Sequence, residues 1–196
     1  MVTLFAQQSN IVDFPQPVRS NEWYTPSYVI EAAREVMDGR IDLDPASCLM
    51  ANQIVRATRY YSEEDNGLAQ VWYGNVWLNP PFGKTRNQSN QLLFVKRLMG
   101  EYEAGNVKQA ILLITPKNTC SYFHLCWNYL ICFADHHVKF HRPDGKIKDQ
   151  MFGVCFVYLG KNEQKFIEVF SRFGDVARRV STPKTQPVNL NLWEVN

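Results

Sequence analysis

A short apolar strand that runs into two prolines is the feature that most constrains how this chain can fold. Residues Val76 to Leu78 are apolar, and Asn79, Pro80, Pro81 and Phe82 follow them directly. Proline fixes φ near −65° and has no N–H to donate, so the segment cannot continue as a central strand. The sequence therefore predicts a strand that ends in a stiff loop carrying polar and aromatic groups.

The chemical groups in this loop could bind and activate the exocyclic amine of a nucleobase. Such an amine is a poor nucleophile because its lone pair is delocalised into the ring. Two acceptors, the side-chain oxygen of Asn79 and the carbonyl of Pro80, would draw the nitrogen toward tetrahedral geometry. Phe82 would stack on a base taken out of its helix. The competing interpretation is structural, with prolines that end a strand and Phe82 packed in the core.

Length and composition favour a single domain. The 196 residues, 45% of them hydrophobic, are enough to bury a full core. No apolar run approaches the ~20 residues that span a bilayer, and the first ten residues lack the features of a signal peptide, which predicts a cytoplasmic protein. The five cysteines include no C-x-x-C pair, so we expect reduced thiols and no metal site.

Charge is distributed unevenly along the chain. Residues 1–75 carry five Lys or Arg against ten Asp or Glu, whereas residues 76–196 carry sixteen against nine. The basic part begins at the Asn-Pro-Pro-Phe loop. This asymmetry is typical of a surface that faces a polyanion, although a solvated basic face explains any one cluster equally simply.

Periodicity divides the chain into an arm at 1–20, a domain at 21–180 and a tail at 181–196. The first helix is predicted to begin with Thr25 as its N-cap and Pro26 as its first helical residue. Helices are predicted over 28–37, 51–61, 91–102, 121–133 and 161–180, with strands over 40–47, 76–78 and 109–115.

The motifs resemble a known class of enzyme at two levels. The loop at 79–82 resembles the catalytic loop of S-adenosylmethionine-dependent amino-methyltransferases, which methylate N6 of adenine, N4 of cytosine or another amine or amide. The wider series is similar, in order and spacing, to the phage-type DNA N-6-adenine methyltransferase family. That series reads Trp23-x-Thr25-Pro26, Asp42-Leu43-Asp44-Pro45-Ala46-Ser47, Asn52, Tyr61, Asp65-x-Gly67-Leu68, Trp72 and Asn79-Pro80-Pro81-Phe82-Gly83.

The resemblance implies a fold and a reaction. The fold is a Rossmann-like α/β methyltransferase fold, with a mostly parallel sheet, helices on both faces and a C-terminal antiparallel hairpin formed by the strands within 137–159. The reaction is direct in-line transfer of a methyl group from S-adenosylmethionine to N6 of a flipped adenine in double-stranded DNA, in the cytoplasm of a bacterial host. No obligate protein partner is evident.

The resemblance also assigns the cofactor site. It implies contacts from Trp23, Thr25, Pro26, Asp44, Pro45, Ala46 and Asp65. Physical chemistry offers a simpler interpretation for three of them: Thr25 as a helix cap, Asp44 as part of a turn, and Asp65 as part of a solvated acidic turn. The family often has a second Asp after position 65, where this chain has Asn66, and many members have Tyr where this chain has Phe82.

Basic residues beyond the loop are candidates for DNA contacts. They are Lys84, Arg86, Lys139, Arg142, Lys146 and Lys148. Contacts with phosphate and ordinary solvated lysines are both consistent with this pattern. Other functions also stay open: methylation of cytosine N4, of an RNA base or of a protein glutamine, and a non-catalytic methyltransferase fold that binds nucleic acid. The absence of a glycine-rich loop favours the last.

Overall fold

A mostly parallel seven-stranded sheet forms the centre of the molecule. The computed structural model describes residues 23–141, 147–149 and 153–180. The predicted arm at 1–20, the tail at 181–196, Arg142 and Lys146 lie outside the described residues, as does the side chain of Lys148. Strands of the main sheet are β1 Leu43–Asp44, β2 Arg59–Tyr60, β3 Gly74–Leu78, β6 Val107–Ile114, β7 Leu130–Ala134, β10 Cys155–Leu159 and β11 Gly174–Ala177.

The order across the sheet is β11-β7-β10-β6-β3-β1-β2. Strands β2, β1, β3 and β6 pair in parallel, whereas β10 is antiparallel to both β6 and β7. Strand β11 is antiparallel to β7 at the edge. Two small two-stranded sheets lie outside it: β4 Lys84–Thr85 with β5 Gln88–Ser89, and β8 Lys139–His141 with β9 Ile147–Asp149.

Helices cover both faces of the sheet, as predicted. They are α1 Ser27–Val36, α2 Leu49–Val55, α3 Asn90–Glu103, α4 Ser121–Cys126 and α5 Glu163–Phe170. Side chains of successive strand residues point to opposite faces, so Trp77 packs on the side of α1 and α5 while Val76 packs on the side of α3 and α4. Residues Ala110 to Ile114 of β6 are apolar and buried on both faces, as expected of a strand that helices cover on both sides. Among the described residues, none of these helices has the length and apolar character needed to cross a bilayer.

Three predicted helices were wrong in part. The segment 51–61 holds the end of α2 and then β2, because Arg56 adopts a left-handed conformation with φ 48° and stops the helix. The segment 121–133 holds α4 and β7. The segment 161–180 holds α5 and β11, and here Gly174 is required because a Cβ would lie 1.9 Å from the carbonyl oxygen of Phe133 on β7.

Two further predictions need correction. Helix α1 begins at Ser27 with Pro26 as its N-cap at φ −65° and ψ 150°, so Thr25 is not the capping residue. The predicted C-terminal hairpin is wrong in part: its second strand, β10, lies antiparallel in the main sheet, whereas β8 pairs with β9 in a separate two-stranded ribbon. Strand β8 lies apart because its end, His141, pairs instead with Tyr24 before α1, with N···O distances of 2.8 and 3.0 Å.

A buried polar network ties together the amino-terminal ends of the central strands. The backbone N–H of Asn75 donates to Asp42 Oδ2 at 2.8 Å, and its side chain donates to the carbonyl of Met37 at 2.8 Å. Gln109 on β6 donates to Asn75 Oδ1 at 3.2 Å, and the Tyr158 hydroxyl on β10 donates to Gln109 Oε1 at 2.9 Å. These bonds satisfy polar groups that would otherwise be costly to bury.

Candidate active site

The site lies at the carboxyl ends of β1 and β3, where parallel sheets usually bind ligands. A cleft of about 990 Å³ opens there. It is lined by residues from four segments: 23–25 before α1, 44–48 after β1, 61–68 after β2, and 79–90 after β3. The cleft is at the upper end of the size range of ligand pockets. Most of the motifs that were separate in the sequence therefore meet in one cavity.

Asn79 is held by the segment that precedes α1. Its Nδ2 donates to the carbonyl oxygen of Trp23 and to Thr25 Oγ1, both at 3.4 Å. A carbonyl oxygen only accepts hydrogen bonds, so the amide nitrogen must be the atom that faces Trp23. No described residue donates to Asn79 Oδ1 or to the carbonyl of Pro80, and both residues line the cleft. Two acceptors are thus available at the end of β3.

Phe82 and the prolines complete this end of the cleft. Phe82 is half-buried and Pro80 is buried, whereas Pro81 is exposed; all three line the cavity. Asn90 at the start of α3 holds the end of the loop, since its Nδ2 donates to the Phe82 carbonyl at 3.4 Å. A planar apolar ring beside two hydrogen-bond acceptors is an arrangement that can hold a heterocyclic base and its amine.

Asp44 is a buried carboxyl at the end of β1. It is 3% exposed, and its Oδ1 accepts from the backbone N–H of Ala46 at 3.2 Å. Among the described residues it takes part in no ion pair. Loss of hydration raises the pKa of Asp44 to about 7. A buried carboxyl that faces a cleft and has no cation beside it is suited to bind a cationic or hydroxyl-bearing ligand.

The turn after β2 carries another predicted residue, Asp65. Its carboxylate accepts from the backbone N–H and hydroxyl of Ser62 at 2.8 and 2.9 Å, and these bonds lower its pKa. Asp65 is exposed and does not line the cleft, whereas Ser62, Glu63 and Asn66 do. The turn also needs Gly67, because a Cβ there would lie 2.0 Å from the carbonyl oxygen of Pro45.

The structure brings together most, but not all, of the predicted site residues. Those that line the cleft are Trp23, Thr25, Asp44, Pro45, Ala46, Asn79, Pro80, Pro81, Phe82 and Arg86. Pro26 is buried at the start of α1, Lys84 is exposed beside the cleft, and Lys139 is exposed on β8. The described parts of the chain contain no group of three or more metal-type ligands.

Several lining residues were missed from the sequence. Cys48 is the N-cap of α2, accepting from the Ala51 N–H at 3.4 Å, and its thiol also contacts the Tyr24 hydroxyl at 3.5 Å. Gln88 and Asn90 line the cleft beyond the loop. A weak signal for the position of Asn90 was present in the sequence. Ser89 stands just before the apolar repeat of α3, as an N-cap should, which makes Asn90 the first residue of that helix.

The cysteines fit the prediction of reduced thiols. All five are free, and Cys126, Cys132 and Cys155 are buried in the core. Burial raises the pKa of Cys126 and of Cys132 to about 12 and raises that of Cys155 as well. These three thiols stay protonated at neutral pH and are not nucleophiles.

Fold and cleft together define a mixed α/β protein with a large cleft at the carboxyl ends of a mostly parallel sheet. The family described as DNA N-6-adenine-methyltransferase (Dam) matches residues 13–148, well over half of the chain. The chain therefore belongs to the DNA N-6-adenine-methyltransferase family, which confirms the resemblance found in the sequence. Comparison with curated proteins and with solved structures gave no match. The family name indicates methylation of adenine in DNA and, with it, the need for a methyl donor.

Proposed function

We propose that the protein is an S-adenosylmethionine-dependent methyltransferase that modifies N6 of an adenine flipped out of double-stranded DNA. The observation that carries the proposal is the orientation of Asn79. Its amide nitrogen is bound to Trp23 and Thr25, so its oxygen is the atom that can accept a hydrogen bond from a substrate amine. Family membership supports DNA adenine as the substrate.

The order of the sheet supports the finer fold assignment. Strands β2-β1-β3-β6 pair in parallel and β10 enters antiparallel between β6 and β7, which is the pattern that we expect of a Rossmann-like methyltransferase. In such open sheets the ligand binds where strand order reverses, outside the carboxyl ends. The cleft next to β1 and β3 fits that position.

The residues of the cleft fit a cofactor of this class. A cleft of about 990 Å³ has room for a nucleoside cofactor and a base together. Asp44 would hold the ammonium group or the ribose hydroxyls, with Pro45 and Ala46 beside it and with Trp23 and Thr25 at the other wall. Pro26 would support that wall from behind by fixing the start of α1. Asp65 would act through Ser62 by shaping the turn that closes this side. When bound, S-adenosylmethionine supplies an electrophilic methyl group on its sulfonium.

The reacting amine would be prepared by the loop after β3. Asn79 Oδ1 and the Pro80 carbonyl would accept hydrogen bonds from its two N–H groups, which favours a tetrahedral nitrogen with an available lone pair. Phe82 would stack on the adenine, and Pro81 would keep the loop stiff. Transfer needs no covalent enzyme intermediate, which agrees with the protonated state of the buried cysteines. Positioning supplies much of the rate.

The exposed basic residues would hold the DNA backbone. Lys84 and Arg86 lie beside the loop, and Lys139 lies on β8, whose partner strand contains Lys148. Together with Arg142 and Lys146 they would contact phosphates and make binding fall steeply with salt.

The test uses purified protein, methyl-labelled S-adenosylmethionine and unmethylated duplex DNA, followed by digestion to nucleosides. Label in N6-methyladenine is expected. The Asn79→Ala variant should lose on the order of 100-fold or more in transfer rate while it still binds the cofactor in a calorimetric titration. Asn106→Ala is the matched control, since the exposed side-chain amide of Asn106 lies at the opposite edge of the sheet and, among the described residues, donates only to Glu101 Oε2.

Other outcomes would redirect the assignment. Label in N4-methylcytosine would move the substrate to the other amine-bearing base. Cofactor binding without DNA labelling would point to RNA or protein, and failure to bind the cofactor would identify a non-catalytic nucleic-acid-binding protein. Equal loss of transfer and cofactor binding in Asn79→Ala would mean that the loop is structural.

A further inference from the structure

A short projecting hairpin follows the Asn-Pro-Pro-Phe loop directly. Strands β4 and β5 pair Lys84 with Ser89 and Thr85 with Gln88, and the two residues between them form the tip. Arg86 and Asn87 have φ of 49° and 65°, which is the left-handed pair of a type I′ turn. This turn matches the twist of two antiparallel strands, so the hairpin is a defined structure and not an arbitrary loop.

The base of the hairpin is fastened to the site. The backbone N–H of Asn90 donates to the Gly83 carbonyl at 3.1 Å, and its side chain donates to the Phe82 carbonyl at 3.4 Å. On the same side, Ser89 Oγ accepts from the Leu92 N–H and caps α3. The hairpin is therefore held in a fixed relation to the ring of Phe82.

The hairpin has two chemically different faces. Thr85, Arg86 and Gln88 line the same cleft as Asn79 and Phe82. Lys84 and Asn87 are exposed and do not line it. The amide of Gln88 makes no hydrogen bond within the described part of the chain, so both its donor and its acceptor are available. By contrast, no residue of β8 lines the cleft.

We propose that the β4–β5 hairpin is the element that reads DNA sequence around the target adenine; this inference rests on the proposed function. A two-stranded ribbon fits the major groove of B-DNA. When a base is stacked on Phe82, the base pairs that flank its empty place come next to the hairpin. Gln88 then pairs with a flanking base edge, as amides do with adenine. Arg86 at the tip contacts phosphate. Lys84 on the outer face contacts phosphate and carries no sequence information.

The proposal separates the hairpin residues by the kind of effect that each substitution has. Loss of a bidentate base contact relaxes discrimination at one flanking position by roughly 5- to 150-fold, with less effect on the preferred positions elsewhere. Loss of a phosphate contact weakens binding to all sequences alike and lowers the salt dependence of binding.

The experiment measures which contexts are methylated in a duplex library with one adenine and randomised flanking pairs. Four full-length proteins are compared: the unaltered chain, Gln88→Ala, Gln88→Glu and Lys84→Ala. We expect Gln88→Ala to lose preference at one flanking position, and Gln88→Glu to shift it toward cytosine, whose amine a carboxylate accepts from. Lys84→Ala should keep the preference and lose affinity uniformly.

The outcomes distinguish this proposal from the proposed function. The role of the hairpin is overturned, while the proposed function stands, if both Gln88 variants methylate adenine with the context preference of the unaltered chain. A changed preference in Lys84→Ala alone would overturn it as well. Methylation by the unaltered chain without any context preference would overturn it as well. No methylation of adenine by the unaltered chain would refute the proposed function itself. Thermal unfolding of each variant checks that the exposed substitutions leave the fold intact.

Discussion

Replacing Asp44 by Asn should make the protein more stable at alkaline pH, although it alters a proposed binding residue. Burial raises the pKa of Asp44 from 3.8 to about 7. Between these values the unfolded chain is ionised and the folded chain binds a proton. Unfolding therefore releases a proton, and stability contributed by this group falls as pH rises from about 4 to about 7. Above pH 7 the carboxylate is ionised in both states, and the loss is complete.

The size of the effect follows from the shift in pKa. At about 1.4 kcal/mol for each pKa unit, the raised pKa of Asp44 lowers the free energy of unfolding by about 4 kcal/mol at pH 8 and by about 1–2 kcal/mol at pH 5. Asn cannot ionise, so the advantage of Asp44→Asn should grow by about 2–3 kcal/mol between these pH values. For a chain of this length that growth corresponds to roughly 5–10 °C in Tm.

The assay is urea unfolding of both proteins at several pH values between 5 and 8.5, without cofactor. The quantity to follow is how the difference in free energy of unfolding between Asp44→Asn and the unaltered protein changes with pH. Any effect of the Asn side chain on packing that is constant with pH then cancels. A difference that is constant with pH, or one that shrinks as pH rises, would refute the argument that Asp44 is a buried carboxyl without a cation beside it.

Two further predictions test contacts around the cleft. Thr25→Val should lower the transfer rate by roughly 2- to 10-fold by removing an acceptor from Asn79, a larger loss than that in cofactor affinity, with activity retained in Thr25→Ser; equal losses of rate and of cofactor affinity would mean that Thr25 acts only as a cofactor ligand. Gly67→Ala should cost roughly 1–3 kcal/mol in urea unfolding, because its Cβ would meet Pro45. Gly100→Ala is the control, since nothing lies within 4 Å of its Cβ in α3 and it should be neutral or stabilising; equal effects of the two substitutions would contradict the close approach at Gly67.

The parts of the fold that could be predicted are the elements in which the spacing of apolar residues extends over many consecutive positions. Strand β6 contains an unbroken apolar run from Ala110 to Ile114, and α3 extends over fourteen residues, so each carries a clear pattern. The strand that ends at Asn79 was equally clear because prolines stop it. Short elements failed: α2 has seven residues and β2 has two, which is too little for periodicity to separate them.

Other elements could not be predicted because distant residues decide them. Residues 130–134 are apolar on both sides, as in a buried helix, and they form β7 because β10 and β11 lie on either side. The same holds within the site. Thr25 reads locally as a helix cap, but its hydroxyl accepts from Asn79, which lies 54 residues further along the chain. Only the sheet brings these two residues together.

The buried polar network at the far end of the sheet fixes the register of β1 against β3, and with it the positions of the site residues. Asp42 and Asn75 are joined by a hydrogen bond of 2.8 Å, and the functional side chains Asp44 and Asn79 follow two and four residues later. A strand advances by about 3.3 Å per residue, and a shift of register by one residue would break the network and leave buried amides unpaired. The distance between the Asp44 carboxyl and the Asn79 amide across the cleft is thus set by hydrogen bonds at the opposite edge of the sheet. Loops at the open edge can then vary in sequence and length while the spacing between these two groups stays the same.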